Sequence, residues 1–131
     1  MASIFSRIVN GEIPCHKIAE TEDYLAFLDV RPMAKGHTLA IPKTEIDYIF
    51  EVEDDHLAGL VIFAKRVAKA VEAVVPCKRI GVAVIGLEVP HAHVHLIPLN
   101  AIADMRFDKP PVAMSNDELA ELAAAIRAEY H

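Results

Sequence analysis

The chain has 131 residues and a formal net charge of −6, with 19 Asp and Glu against 13 Lys and Arg. Hydrophobic residues make up 53%, too many for a disordered chain and enough for one domain, residues 1–131, with a real core. The acidic balance repels a phosphate backbone and the absence of Trp leaves little surface for stacking single strands, which argues against a nucleic-acid binder.

No apolar run approaches the ~18 residues of a membrane-spanning helix, and Arg7 and Asn10 interrupt the apolar start at 4–13, so neither a membrane partner nor a signal segment is expected. Cys15 and Cys77 stand far apart and read as small apolar fillers, as expected of a cytoplasmic protein with reduced thiols. Residues 18–30 read as two short strands around the polar turn Glu20, Thr21, Glu22 and Asp23. Arg31-Pro32 marks a loop. A further apolar run, 37–41, follows Gly36 and stops at Pro42. Leu57, Leu60, Val61, Ala64, Ala68, Val71 and Val75 recur at three- and four-residue spacings and predict a long helix with one apolar stripe. Glu51, Glu53, Asp54 and Asp55 suit the positive end of its dipole, and Pro76 ends it. Residues 80–85 and 91–98 read as strands. Residues 99–114 read as irregular, and a last helix is expected from Ser115, where Ser115 and Glu118 form a capping box. Strands, helix, strands, helix, with little between consecutive strands, predict an α+β fold with an antiparallel sheet.

The segment His91-Ala92-His93-Val94-His95-Leu96-Ile97 is the most informative. Side chains of a strand alternate between faces, so the three histidines share one face, and Ala92, Val94 and Leu96 suit the core on the other. Three imidazoles are a poor choice for a buried face, since each carries nitrogens that need partners. Two uses are reasonable. One imidazole can attack phosphorus while its neighbours hold the phosphate or pass protons; alternatively, His91 and His93 with His95 or His37 could ligate a metal.

The segment matches the signature His-φ-His-φ-His-φ-φ, with φ hydrophobic, at every position, and so resembles the histidine triad (HIT) family. The stretch Ser3-Ile4-Phe5-Ser6-Arg7-Ile8-Val9-Asn10-Gly11-Glu12-Ile13-Pro14 is similar to the start of its Hint branch. So are Tyr24-Leu25-Ala26-Phe27-Leu28-Asp29, Pro32, and Gly36-His37 through Pro42-Lys43. The resemblance covers about residues 3–98. It implies a HIT-like fold, a five-stranded antiparallel sheet with one long central helix and a C-terminal helix, commonly as a homodimer. It also implies hydrolysis or transfer at the α-phosphate of purine nucleotides (phosphoramidates, acyl-adenylates or dinucleoside polyphosphates) without a cofactor. On that pattern His93 is the nucleophile, His95 donates to phosphate oxygens, His91 orients His93, and His37 completes a proton relay. Asp29 accepts from the ribose hydroxyls, and Ile4, Phe5, Ile8 and Phe27 sandwich the base. His16, His56 and His131 match no family site and read as surface residues.

Two departures stand out. Many bacterial members carry a zinc-binding Cys-x-x-Cys near the N-terminus; this chain has Ser3 and Ser6 there, and Glu45 where the family often has His, so no metal is expected. The link before the triad, residues 85–90, is short, has the single glycine Gly86 where the family usually has several, and lacks the usual Asn and Ser or Thr. Glu88 stands about where a phosphate-contacting hydroxyl would be. A carboxylate there suits a cationic leaving group or raises the basicity of a triad histidine. A nucleotide-binding or interaction protein with weak catalysis is the alternative reading.

Overall fold

The computed structural model describes residues 2–131. In chain order it has a short helix α1 (Ile4–Val9), strands β1 (Lys17–Glu20), β2 (Tyr24–Leu28) and β3 (Thr38–Pro42), the long helix α2 (Asp54–Val74), strands β4 (Arg79–Ala83) and β5 (Val94–Leu99), and helix α3 (Asn116–Glu129). The strands form one antiparallel sheet in the order β1-β2-β3-β5-β4. The α+β architecture read from the element order is therefore the one observed.

Register decides what each face carries. Phe27 pairs with Leu39, Leu39 with His95, and His95 with Ala83, so one row crosses four strands on a single face. The neighbouring rows, Ala26–Ala40–Val94 and Leu28–Thr38–Leu96, point the other way. That second face meets α2 and α3 in the main core, which includes Ile18, Leu28, Leu60, Phe63, Val67, Val71, Leu96 and Ile126. Burying each Leu, Ile, Val or Phe side chain of this kind is worth roughly 1.5–3 kcal/mol. The first face keeps a smaller apolar cluster, Phe5, Leu25, Phe27, Leu39 and Ile41, beneath α1.

The helix ends follow local chemistry. Asp54 and Asp55 occupy the first turn of α2, and the helix stops at Val75, before Pro76. Ser115 caps α3 by accepting from the Glu118 N–H, while Glu118 reaches back to the Ser115 N–H. The six residues of α1 show no length of periodicity to read. Ser3 starts that helix by accepting from the Ser6 N–H, and Gly11 lies just beyond its end at φ +80°.

Two expectations are corrected. The α2 stripe is rotated: Leu60, Phe63, Ala64, Val67, Ala70 and Val71 are buried, whereas Val61 is 58% exposed. The helix is apolar on two adjoining faces, so spacing alone fits either. Leu57, Val61 and Ala68 instead line a groove of about 240 Å³ with Val82 and Val84. The last strand starts at Val94 and not at His91. The His91 N–H turns back to the Val89 carbonyl and the Ala92 N–H goes to the Ile46 carbonyl, which takes both off the ladder.

Candidate functional site

His93 and His95 project from the beginning of β5 onto the α1 face of the sheet. His91 precedes them, held by the carbonyl of Pro42, the last residue of β3. His37 arrives from the other side of β3 through Gly36. That glycine has φ +94°, and a Cβ on it would lie 2.9 Å from Val75 and 3.2 Å from Pro98. Only glycine fits there, and the turn it makes delivers His37 to the start of the strand. All four rings are buried.

Their protons are located by partners that do not titrate. Met33 N–H donates to His37 Nδ1 at 3.0 Å, so the neutral His37 ring carries its proton on Nε2. That N–H faces His95 Nδ1 at 2.9 Å, which leaves the His95 proton on Nε2. His91 Nε2 lies 2.7 Å from the Pro42 carbonyl and must donate, so its Nδ1 accepts from the Ser3 hydroxyl at 2.9 Å. His93 Nδ1 lies 2.7 Å from the His91 carbonyl and donates, which leaves the Nε2 lone pair free when the ring is neutral.

Burial, reinforced by the neighbouring imidazoles, pushes the His37 pKa down to about 3 and that of His95 to about 4. Burial also lowers His91, although the Pro42 carbonyl opposes the shift. Asp29 ends β2 with Oδ1 accepting from the Arg31 N–H at 2.8 Å and Oδ2 3.6 Å from His37 Nε2. With His37 neutral, that approach is a long polar contact and not an ion pair. Burial raises the Asp29 pKa, the Arg31 N–H and His93 lower it, and Glu88 adds to the rise.

Rings continue the row on both sides. Phe27 packs on Phe5 with centroids 5.6 Å apart, Phe5 on His93 at 5.0 Å, His93 on His95 at 4.9 Å, and His95 on Phe107 at 4.9 Å, each close to edge-to-face. Phe107 belongs to the irregular 99–114 segment and also reaches His37 at 6.3 Å. A cleft of about 380 Å³ opens beside His93, walled by Tyr48, Phe50, Val84 and Ile85, with Asp47 among its lining residues.

The structure thus gathers His37, His91, His93, His95, Asp29, Phe5 and Phe27 in one place. Ile8 is half-buried against the apolar cluster under α1, Ile4 is 49% exposed, and Glu88 is exposed on the loop before the triad. His56 and His131 are exposed, His16 is half-buried, and both cysteines are half-buried and free. Four residues that the sequence did not assign to the site join it. Phe107 is one; Ser3, Ser6 and Glu45 are the others. Glu45 Oε1 accepts from the Ser3 N–H and the Ser6 hydroxyl, both at 2.7 Å.

Among the described residues one grouping brings potential metal ligands together, and it does not fit an ion. Asp29, His37 and His95 place ligand atoms within 4.8 Å of one another, but the Met33 N–H holds the His37 proton on the Nε2 that a metal would need. Ser3, Ser6, Glu45 and His91 already satisfy one another by hydrogen bonds.

The HIT domain family model matches residues 10–102. The chain belongs to the HIT family. It is 42% identical over 105 residues to an uncharacterised HIT-like protein of Methanocaldococcus jannaschii, covering 72% of this chain and 77% of that one. It is 39% identical over 98 residues to the adenosine 5'-monophosphoramidase HNT1 of Saccharomyces cerevisiae, covering 74% of this chain and 62% of the yeast protein. The solved HIT-like protein of Bartonella henselae superposes with a TM-score of 0.84 at 30% identity, over 97% of this chain and 95% of that one. A zinc-bound histidine triad family protein of Mycobacterium smegmatis superposes with a TM-score of 0.81 at 29% identity, over 99% and 94%.

Proposed function

We propose that this HIT protein is a nucleotide-binding hydrolase or transferase acting at the α-phosphate of purine nucleotides, with an adenosine phosphoramidate as the representative substrate. The observation that carries the reading is the 2.7 Å bond from His93 Nδ1 to the His91 carbonyl. In the neutral ring it aims the Nε2 lone pair out of the row, next to a His95 whose own Nε2 bears a proton. In this reading His93 Nε2 forms a bond to phosphorus as the bond to the leaving amine breaks; the amine departs with the proton of His95 Nε2, while His37 Nε2–H supports the far side of that ring, and the water of the second step gives the proton back. His95 Nε2–H donates to the phosphoryl oxygens as charge develops. Water then attacks the nucleotidyl-histidine, a nucleoside monophosphate leaves, and His93 is restored.

Asp29 Oδ2 would accept from the ribose, and Phe5, Phe27, Ile8 and the exposed Ile4 would border the base. Glu88 would face the leaving group and favour a cationic one. The activity named for the yeast relative supports the phosphoramidate class. A homodimer is part of the proposal: edge strand β4 and the apolar groove beside it, with Val61 and Val82 exposed, suit a second copy. Size-exclusion chromatography with light scattering would return one chain mass if that is wrong.

The test of the activity is turnover of an adenosine phosphoramidate by the wild type and by His93→Ala, both in chelator. Turnover in the wild type alone supports metal-free transfer through His93. Tight nucleotide binding without turnover in either protein favours the binding-protein reading. Turnover abolished by the chelator favours a metal.

A further inference from the structure

The Ser3 and Ser6 hydroxyls converge on one ring nitrogen, His91 Nδ1, and Glu45, 42 positions beyond Ser3, bonds both serines. The Ser3 hydroxyl has a single proton, and His91 Nδ1, which can only accept, lies 2.9 Å away. The same oxygen accepts the Ser6 N–H at 3.0 Å and so caps α1. The Ser6 hydroxyl has two acceptors within reach, Glu45 Oε1 at 2.7 Å and His91 Nδ1 at 3.4 Å. The shorter contact to a carboxylate prevails. Glu45 Oε1 also takes the Ser3 N–H, and these bonds hold its pKa down to about 2, so the carboxylate is ionised throughout the working range. One acceptor thereby directs both serine hydroxyls: it occupies Ser6 and leaves Ser3 to His91.

The chain of contacts continues to the reacting atom. His91 presents the carbonyl that orients His93, and α1, whose start is capped by Ser3, carries Phe5 against both rings, with centroids at 5.9 and 5.0 Å. We propose that Glu45, acting through Ser3 and Ser6, is a positioning residue that fixes the tautomer and orientation of His91 and through it the aim of His93 Nε2. Glu45 itself is exposed and reaches no reacting atom, so it acts only through others. The inference deepens the proposed function and rests on it for its kinetic part.

Glu45→Ala and Ser3→Ala are compared with wild type in two measurements. In phosphoramidate turnover, each variant is expected to lose about tenfold in kcat with KM changed by about twofold or less, the loss typical when a supporting partner of a functional histidine is removed. Ser3→Thr, which keeps the hydroxyl, restores kcat. In the free protein, ¹⁵N spectra are expected to show the His91 Nδ1 and His93 resonances moving in both alanine variants and returning in Ser3→Thr. Unchanged kcat with a lower Tm, or a rise in KM alone, would overturn the idea and leave the cluster as an anchor for α1. If the wild type turns over no phosphoramidate, the proposed function fails and the ring spectra decide: unmoved His93 resonances overturn the positioning role.

Discussion

His91 and His93 lie at one end of the imidazole row, His95 and His37 at the other, and the two pairs are held by different means. The first pair is fixed by directed bonds: the Pro42 and His91 carbonyls and the Ser3 hydroxyl, backed by Glu45. The second is joined by one bond within the pair, His37 Nε2–H to His95 Nδ1, is anchored from outside by a backbone N–H from Met33, and otherwise rests on burial, with Phe107 packed on both rings. Directed bonds set where a lone pair points; burial sets whether a ring is charged. Damage at the first end is therefore read in kcat alone, and damage at the second in the rate together with its pH dependence.

The comparison can be broken most severely at His93. His93→Ala removes the only imidazole lone pair that the network leaves free, and turnover should fall by about 10⁴-fold or more, with nucleotide affinity retained in a binding assay. His37→Ala leaves His95 Nδ1 without its donor, and single-turnover rates should drop by about 10²-fold, the low end for loss of a proton-transfer partner. A drop in affinity without a drop in rate would show that the second pair binds and does not relay.

The buried pair also predicts the sign of a stability change. His37 and His95 titrate lower in the folded protein, at about 3 and about 4, than the ordinary 6.5. The unfolded chain therefore binds protons first as pH falls. Stability is complete above about pH 7 and declines from about pH 6.5 down to about 4 for His95 and about 3 for His37, by up to about 1.4 kcal/mol per pH unit for each group. Asp29, raised by burial, contributes with the opposite sign near its own range. Urea denaturation at stepped pH checks this, and Phe107→Ala sharpens it. Opening the pair to water should raise the His95 pKa, seen by NMR titration, and lower turnover by about threefold, a small part of what desolvation supplies. The smallest effect belongs to exposed Glu88. Glu88→Ser should weaken preference for cationic over neutral leaving groups by about two- to threefold, as expected of a solvent-screened charge; unchanged preference would remove Glu88 from the site.

What could be read in advance follows the range of the interaction. The alternation of His93, Val94, His95 and Leu96 is local, and so is the Ser115–Glu118 box; both appear in the fold as the sequence implies. The start of β5 was not legible, because an N–H to the Ile46 carbonyl, 46 positions earlier, takes Ala92 off the ladder. Nor was the face of α2, whose Val61 and Leu57 continue the apolar pattern beyond the core. Ser3 and Ser6 signalled only a missing zinc ligand pair, and nothing near Glu45 announces that it bonds them across 42 and 39 positions. Phe107 sits in a stretch without periodicity and finds His95 only in three dimensions.

The uncharged state of His37 and His95 reaches beyond the bond-making step to the encounter itself. These two rings add no positive field at the mouth of the site, and the chain around them carries a net −6. A phosphoryl compound is thus recognised at contact, by hydrogen-bond donors, and not drawn in from a distance. Among anionic nucleotides, those with fewer charges arrive faster, and added salt, which shortens the reach of the acidic surface to about 10 Å at 0.1 M, speeds the capture of the more highly charged ones.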